Sequence, residues 1–141
     1  MSDADKLFEE ATLHAMAGEH EKAVGAYRKA LKAEEDHVDS WIGLAGALYS
    51  LKKYEEARDA ARELLSHRPK FPDAWFLIGQ AEVELKHYDE ATMAFGKALE
   101  QKEDLKKPFI EYWEGLKESH AFRKDEDAKA LAAKHIEEKK D

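Results

Sequence analysis

The apolar residues of this chain recur with the period of an α-helix. Trp75, Ile78 and Gly79 follow the i, i+3, i+4 spacing that places side chains on one helix face. Glu82 continues this spacing at i+7, but only the first three residues suit a buried stripe. After a short polar break, a second helical stripe runs through Tyr88, Ala91, Phe95, Ala98 and Leu99. The pattern therefore predicts two antiparallel helices joined by a short turn.

This helix pair is repeated along the chain. Ala23, Ala57 and Ala91 lie at a constant spacing of 34 residues, and Trp41 and Trp75 are separated by the same interval. One interval that recurs at separate places indicates an internal repeat, whose units stack to form a continuous core. We therefore predict three helix pairs, over residues 4–37, 38–71 and 72–105.

Residues that end and restart helices lie between the predicted segments. Gly18 stands in the turn of the first pair, where a residue that readily adopts positive φ is favoured. Pro69 and Pro72 stand where one helix is predicted to end and the next to begin, and Pro72 suits the first turn of that next helix. Asp39 and Asp73 stand near helix starts, where a carboxylate can cap exposed N–H groups and oppose the helix dipole.

The unit resembles the tetratricopeptide repeat, whose signature W-x2-L-G-x2-Y…A-x3-F…P recurs every 34 residues. The third unit matches this signature at Trp75, Ile78, Gly79, Ala91 and Phe95. The resemblance implies an all-α fold, a right-handed superhelical solenoid of antiparallel helix pairs.

Residues 106–139 fit the repeat poorly. The pattern predicts one helix opened by Pro108 and a last helix with Asp125 as its N-cap and with apolar positions at Ala128, Leu131, Ala132 and Ile136. The segment is either a divergent fourth helix pair or a capping hairpin, and we favour a divergent pair that covers the exposed face of the third unit. The whole chain, residues 1–141, is predicted to form one domain.

Composition narrows the functional classes. The net charge of −8 argues against general affinity for nucleic acids, and no apolar run is long enough to cross a membrane. There is no cysteine, and the seven histidines include no i, i+4 pair, so we expect no metal site and no cofactor. Gly43 and Gly46 lie mid-helix, where close helix packing explains them better than phosphate binding. We therefore expect a cytoplasmic protein that is not an enzyme.

The resemblance also implies where a partner binds, because first helices of successive tetratricopeptide repeats line a concave wall. The wall positions implied for this chain are Asp5, Phe8, Thr12, Met16, Asp39, Ile42, Gly46, Tyr49, Asp73, Phe76, Leu77, Gln80 and Val83. They describe an apolar floor edged with acids, suited to a hydrophobic segment or amphipathic helix with Lys or Arg flanks.

One subclass of tetratricopeptide repeat domains binds the C-terminal carboxylate of chaperone tails through Lys, Asn and Arg side chains. The equivalent positions here are Phe8, Thr12, Gly43, Asp73 and Leu77, none of which can donate a charge-assisted hydrogen bond to a carboxylate. We therefore expect no binding of free acidic tails.

Two alternatives stay open beside a protein- or peptide-binding module. The first is self-assembly through Trp113 or Phe122, so that the chain is either a monomer or a weak homodimer. The second is a secretion-type chaperone, a role that some small acidic tetratricopeptide proteins have.

Overall fold

The computed structural model describes residues 1–118 and Glu137, and within them every regular element is helical. Three helix pairs are followed by a short 3-10 turn, Glu103–Leu105, and a seventh helix. The α-helices are α1 Asp3–Met16, α2 His20–Ala33, α3 Val38–Ser50, α4 Tyr54–His67, α5 Pro72–Glu84, α6 Tyr88–Gln101 and α7 Lys106–Glu118. The three predicted pairs are therefore confirmed. Over residues 1–118, none of these helices has the length and apolar character needed to span a bilayer.

The turn inside each pair has the same backbone geometry. Gly18, Lys52 and Lys86, spaced 34 residues apart, have φ values of 79°, 62° and 64°. In the first turn, the backbone N–H of Glu19 donates to the carbonyl of His14 at 2.9 Å, and equivalent bonds close the other two turns. This is the left-handed ending that suits glycine. The prediction for Gly18 is confirmed, and lysine occupies the same conformation in the second and third pairs.

The starts of α3 and α5 differ from the expectation in one respect. Pro72 is the first residue of α5, as predicted, but His37 and Phe71 are the N-cap residues, and neither makes a side-chain capping hydrogen bond. Asp39 and Asp73 are exposed in the first turns, and each is the second residue of its helix. They are placed to oppose the helix dipole and not to cap the helix.

Small and large residues alternate in the core. Ala23, Ala57 and Ala91 are fully buried where the two helices of each pair approach closely. Tyr27 and Phe95, which are 4% and 1% exposed, fill the space between layers. This alternation gives the interior its close packing.

The helix pairs stack in chain order, and the first helices of successive pairs also contact one another, α1 with α3 and α3 with α5. This arrangement is the solenoid predicted from the repeat. The surface formed by α1, α3 and α5 is called the inner wall below.

The seventh helix closes the end of the third pair. It begins at Lys106, two residues before Pro108, and buries Phe109 and Trp113 against Phe95, with ring centroids 5.2 Å and 5.8 Å from the Phe95 ring. Because Trp113 is fully buried, the idea that it mediates self-assembly is wrong. Phe122 and the helix predicted to follow Asp125, with Ala128, Leu131, Ala132 and Ile136, lie outside the described residues.

Candidate interaction surface

The thirteen predicted wall residues fall into three groups by exposure. Met16, Asp39 and Asp73 are exposed. Val83 is only 4% exposed and packs in the aromatic cluster of α6 and α7, so its prediction as a wall residue is wrong. The others are half-buried, with part of each side chain on the surface: Asp5, Phe8, Thr12, Ile42, Gly46, Tyr49, Phe76, Leu77 and Gln80.

Phe8 is fixed at one end of the inner wall. Its ring centroid lies 6.0 Å from that of Tyr27 and 5.6 Å from that of His37. The hydroxyl of Thr12 donates to the carbonyl of Phe8 at 2.9 Å and lies 3.3 Å from the hydroxyl of Tyr27. This end therefore presents an aromatic edge that is already packed on one side.

Asp5 is engaged within the chain. One carboxylate oxygen lies 2.8 Å from Nε2 of His37, and the other accepts the backbone N–H of Ser2 in a capping box. Its hydrogen bond with His37 is the main cause that lowers the pKa of Asp5 below its ordinary value of 3.8. Asp5 therefore joins α1 to the start of α3, a role that differs from the acidic edge predicted for it.

The other ring nitrogen of His37, Nδ1, lies 2.7 Å from the hydroxyl of Ser40. An Asp–His–Ser sequence of contacts resembles a hydrolytic triad in composition, but a catalytic serine has to reach its substrate. Ser40 is fully buried beneath the start of α3. The contacts of Asp5, His37 and Ser40 therefore fix two helices together. Within residues 1–118, no cluster of three or more His, Asp or Glu side chains is arranged to hold a metal ion.

Tyrosines gather at the far end of the inner wall. The rings of Tyr49 and Tyr54 meet edge to face with centroids 5.3 Å apart. Tyr112 of α7 lies beside them and donates its hydroxyl to the carbonyl of Gln80 at 3.4 Å. Burial is the main cause that raises the pKa of Tyr112 far above its ordinary value, and the nearby charge of Glu84 adds to it.

Sequence reasoning did not place Tyr112 on the inner wall. The helical pattern of residues 106–118 marks it as an apolar position, but the direction in which α7 crosses the third pair is a tertiary feature. Its ring centroid lies 6.4 Å from that of Phe76. The apolar end of the wall therefore includes a residue from beyond the third repeat.

The two mid-helix glycines of α3 have different roles. A Cβ at Gly43 would lie 2.4 Å from the ring of Tyr27, so close packing explains this glycine, as predicted. A Cβ at Gly46 would meet nothing within 4 Å, so the packing explanation is wrong there. Gly46 leaves an opening between the half-buried side chains of Ile42 and Tyr49.

The comparison with protein families matches residues 8–70, and again residues 53–104, to the tetratricopeptide repeat. Because these matches together span more than half of the chain, the protein belongs to the tetratricopeptide repeat family. Among curated proteins, no significant match to the chain was found.

Solved structures share this fold. The second TPR of Spaghetti (RPAP3) bound to HSP90 peptide SRMEEVD superposes with a TM-score of 0.70 at 21% identity, covering 72% of this chain and 94% of that chain. A crystal structure of MamA gives 0.79 at 14% identity, covering 97% and 76%. MamA residues 41 to the end, from Desulfovibrio magneticus RS-1, give 0.75 at 23% identity, covering 97% and 73%. At these identities the likeness is one of fold.

Proposed function

We propose that the chain is a non-enzymatic protein–protein interaction module, formed as one domain over residues 1–141. Its inner wall binds a hydrophobic segment or amphipathic helix of a partner, with Lys or Arg residues at the flanks of that segment. The observation that carries the proposal is the half-buried row of Phe8, Ile42, Phe76 and Leu77 with an opening at Gly46. Half-buried apolar side chains in a row, on a protein that is otherwise strongly charged, are typical of an interaction surface.

The charges on the wall favour a partner with basic flanks. Asp39 and Asp73 are exposed at the starts of α3 and α5, each three residues before the row residue of its helix, Ile42 or Phe76. None of the thirteen wall positions carries Lys or Arg. Complementary charge raises the association rate and selects the partner more than it adds affinity. We therefore expect charge to determine which apolar segments bind.

The same charges argue against an acidic peptide. The RPAP3 domains with this fold were solved with the HSP90 peptide SRMEEVD, which carries carboxylates. Here, Asp73 is exposed at one position where the resemblance implies a carboxylate-binding residue, and Gly43 lies at another. A peptide carboxylate on this wall would meet a like charge and no guanidinium or ammonium partner.

The proposal can be tested with three fluorescein-labelled peptides and fluorescence anisotropy. The first is an amphipathic helix with leucines at i, i+3, i+4 and i+7 and two lysines at each end. The second has glutamates in place of those lysines, and the third is SRMEEVD. We expect the lysine-flanked peptide to bind at least tenfold more tightly than the glutamate-flanked peptide, and SRMEEVD not to bind.

Two substitutions at Gly46 form a matched pair for the same assay. Gly46→Ala adds one methyl group into open space and should retain binding, whereas Gly46→Arg fills the opening and repels the lysine flanks. Met93→Arg is the control, because Met93 is 68% exposed on α6, away from the first helices, and the added charge is the same. Equal affinity of Gly46→Arg and the unmodified protein would refute the proposed groove. An equal loss in Met93→Arg would show that only net charge matters.

A further inference from the structure

A second apolar hollow lies on the opposite side of the first two helix pairs. It has a volume of about 360 Å³ and is bounded by α2 and α4, with α3 beneath it. Leucines and the side chain of Trp41 form its floor, and Arg28, Glu56, Asp59 and Glu63 form its rim. The hollow opens between second helices and is therefore separate from the inner wall. We call it the Trp41 hollow.

The next interval of the solenoid, which is the region between the second and third helix pairs, shows which kind of group packs on the equivalent tryptophan. Thirty-four residues further along the chain, Trp75 stands at the position equivalent to Trp41, and Lys97 stands at the position equivalent to Glu63. The ammonium nitrogen of Lys97 lies 5.6 Å from the centroid of the Trp75 ring. A cation at this distance is attracted to the negative face of an indole. The chain therefore covers its second tryptophan with a cation of its own.

In the first interval, Glu63 stands at the position equivalent to Lys97. A carboxylate cannot replace it, because the negative face of the indole repels an anion. The indole N–H of Trp41 donates to the carbonyl of Glu35 at 2.7 Å, so the ring is held in place while it lines the hollow. The cation-accepting surface of the first interval is therefore preformed.

The rim of the Trp41 hollow carries three carboxylates and one guanidinium. Nη2 of Arg28 lies 3.3 Å from a carboxylate oxygen of Glu56, and Asp59 contacts Nε of Arg58 at 3.3 Å. The carboxylate of Glu63 forms no ion pair within the part of the chain that the structure describes. The uncompensated negative charge is therefore at the position that Lys97 occupies in the next interval.

We propose that the Trp41 hollow binds a single cationic side chain, Lys or Arg, from a partner protein. The aliphatic part of that side chain lies on the leucine floor, and its charge lies between the Trp41 ring and Glu63, as long basic side chains do on apolar surfaces. The volume is near the lower end of the range for ligand pockets, about 300–1,000 Å³, which suits one side chain and not a helix. This site is independent of the proposed groove on the inner wall.

The probe is the capped tripeptide Gly-Arg-Gly, with Gly-citrulline-Gly as its neutral analogue. Titrations are followed by the indole N–H resonances in ¹H–¹⁵N NMR spectra, with Trp41 assigned through Trp41→Phe. We expect the arginine peptide to shift the Trp41 resonance, with an affinity that falls as salt is added, and the citrulline peptide to have no effect. The Trp75 resonance should not respond, because Lys97 already covers that ring.

Exchanging the rim residue tests the geometry. Glu63→Lys places a lysine where the next interval has Lys97, so we expect at least a tenfold loss of affinity for the arginine peptide. Glu55→Lys makes the same change of charge on α4 outside the hollow, and it should retain most of the affinity. Lys97→Glu should open the equivalent hollow and cause the Trp75 resonance to respond.

Three results would overturn the proposal. The first is an equal response of Trp41 to the citrulline peptide. The second is full affinity of Glu63→Lys for the arginine peptide. The third is a loss of affinity in Glu55→Lys as large as that in Glu63→Lys, which would show that the effect comes from net charge alone. Glu55 and Glu63 are both exposed, so the unfolding midpoints of the variants should stay near that of the unmodified protein and confirm that they fold.

Discussion

Replacing Arg58 by valine is expected to reduce the free energy of unfolding by about 3–5 kcal/mol. The carboxylate of Glu82 is 1% exposed, and Nη1 of Arg58 lies 2.9 Å from one of its oxygens. This hydrogen bond is also the main cause that raises the pKa of Arg58, so the guanidinium stays charged. Without it, the buried carboxyl group of Glu82 would have only the more distant ring of His87, 3.5 Å from its other oxygen.

The preceding interval shows how the same space is filled without charge. Thirty-four residues earlier, Val24 and Leu48 occupy the positions of Arg58 and Glu82, and both are buried in the first core cluster. The double variant Arg58→Val, Glu82→Leu therefore copies an arrangement that the fold already contains. Replacing a buried ion pair by packed apolar residues is often neutral, or stabilising by about 1–4 kcal/mol. We expect the double variant to be at least as stable as the unmodified protein.

The measurement is urea-induced unfolding followed by far-UV circular dichroism for the unmodified protein, both single variants and the double variant. The four values form a double-mutant cycle that isolates the coupling between the two side chains. Arg62→Val is the control, because Arg62 is 56% exposed and its contact with Asp59 is 4.0 Å long, so about 0–1 kcal/mol is expected. A loss in Arg58→Val no larger than that in Arg62→Val would refute the reasoning, as would a double variant less stable than Arg58→Val.

Three further predictions concern stability. Lys52→Gly should raise the free energy of unfolding by about 0.5–1 kcal/mol in urea titrations, because glycine adopts the left-handed turn without the cost that other residues bear; an unchanged midpoint would contradict this. Gly79→Ala should lower the free energy of unfolding by about 1–3 kcal/mol, because the new Cβ would lie 2.6 Å from the Phe95 ring. Thermal unfolding measures this loss. Because the pKa of Asp5 is lowered in the folded protein, its ionised carboxylate stabilises the fold at pH values above the ordinary pKa of 3.8. This stabilisation is lost as the pH falls through the lower pKa of the folded state. The difference in melting temperature between the protein and Asp5→Asn should therefore shrink below about pH 4, and a difference independent of pH would exclude a role for the Asp5 charge.

The fold could be predicted because the repeat constrains it at several places. A 34-residue interval shared by Ala57, Ala91 and the two tryptophans fixes both the helix pairs and their stacking. The turn conformation of Lys52 and Lys86 was not predicted, because lysine gives no local preference for positive φ. Their spacing from Gly18 was the available indication. Hydrogen bonds closing each turn impose the conformation on whichever side chain is present.

The candidate site was less predictable, because register positions alone do not determine burial. Val83 holds a wall position in the repeat, yet it packs with Phe95, Phe109 and Trp113, two of which come from α7. Gly46 was explained by packing, although its surroundings are open. Both differences depend on what lies opposite the residue in space, and a periodic pattern contains no information about that.

Charged residues at equivalent positions show most clearly what the periodic pattern omits. Glu82 belongs to the apolar stripe of α5 by spacing, and it is buried because Arg58 stands opposite it. Glu63 lines the hollow beside Trp41, whereas Lys97 covers the Trp75 ring from the equivalent position. In both cases the effect of one residue depends on a second residue in the neighbouring helix. It follows that exchanging one member of such a pair between intervals should disturb the structure or the site, while exchanging both members should transfer the local arrangement intact.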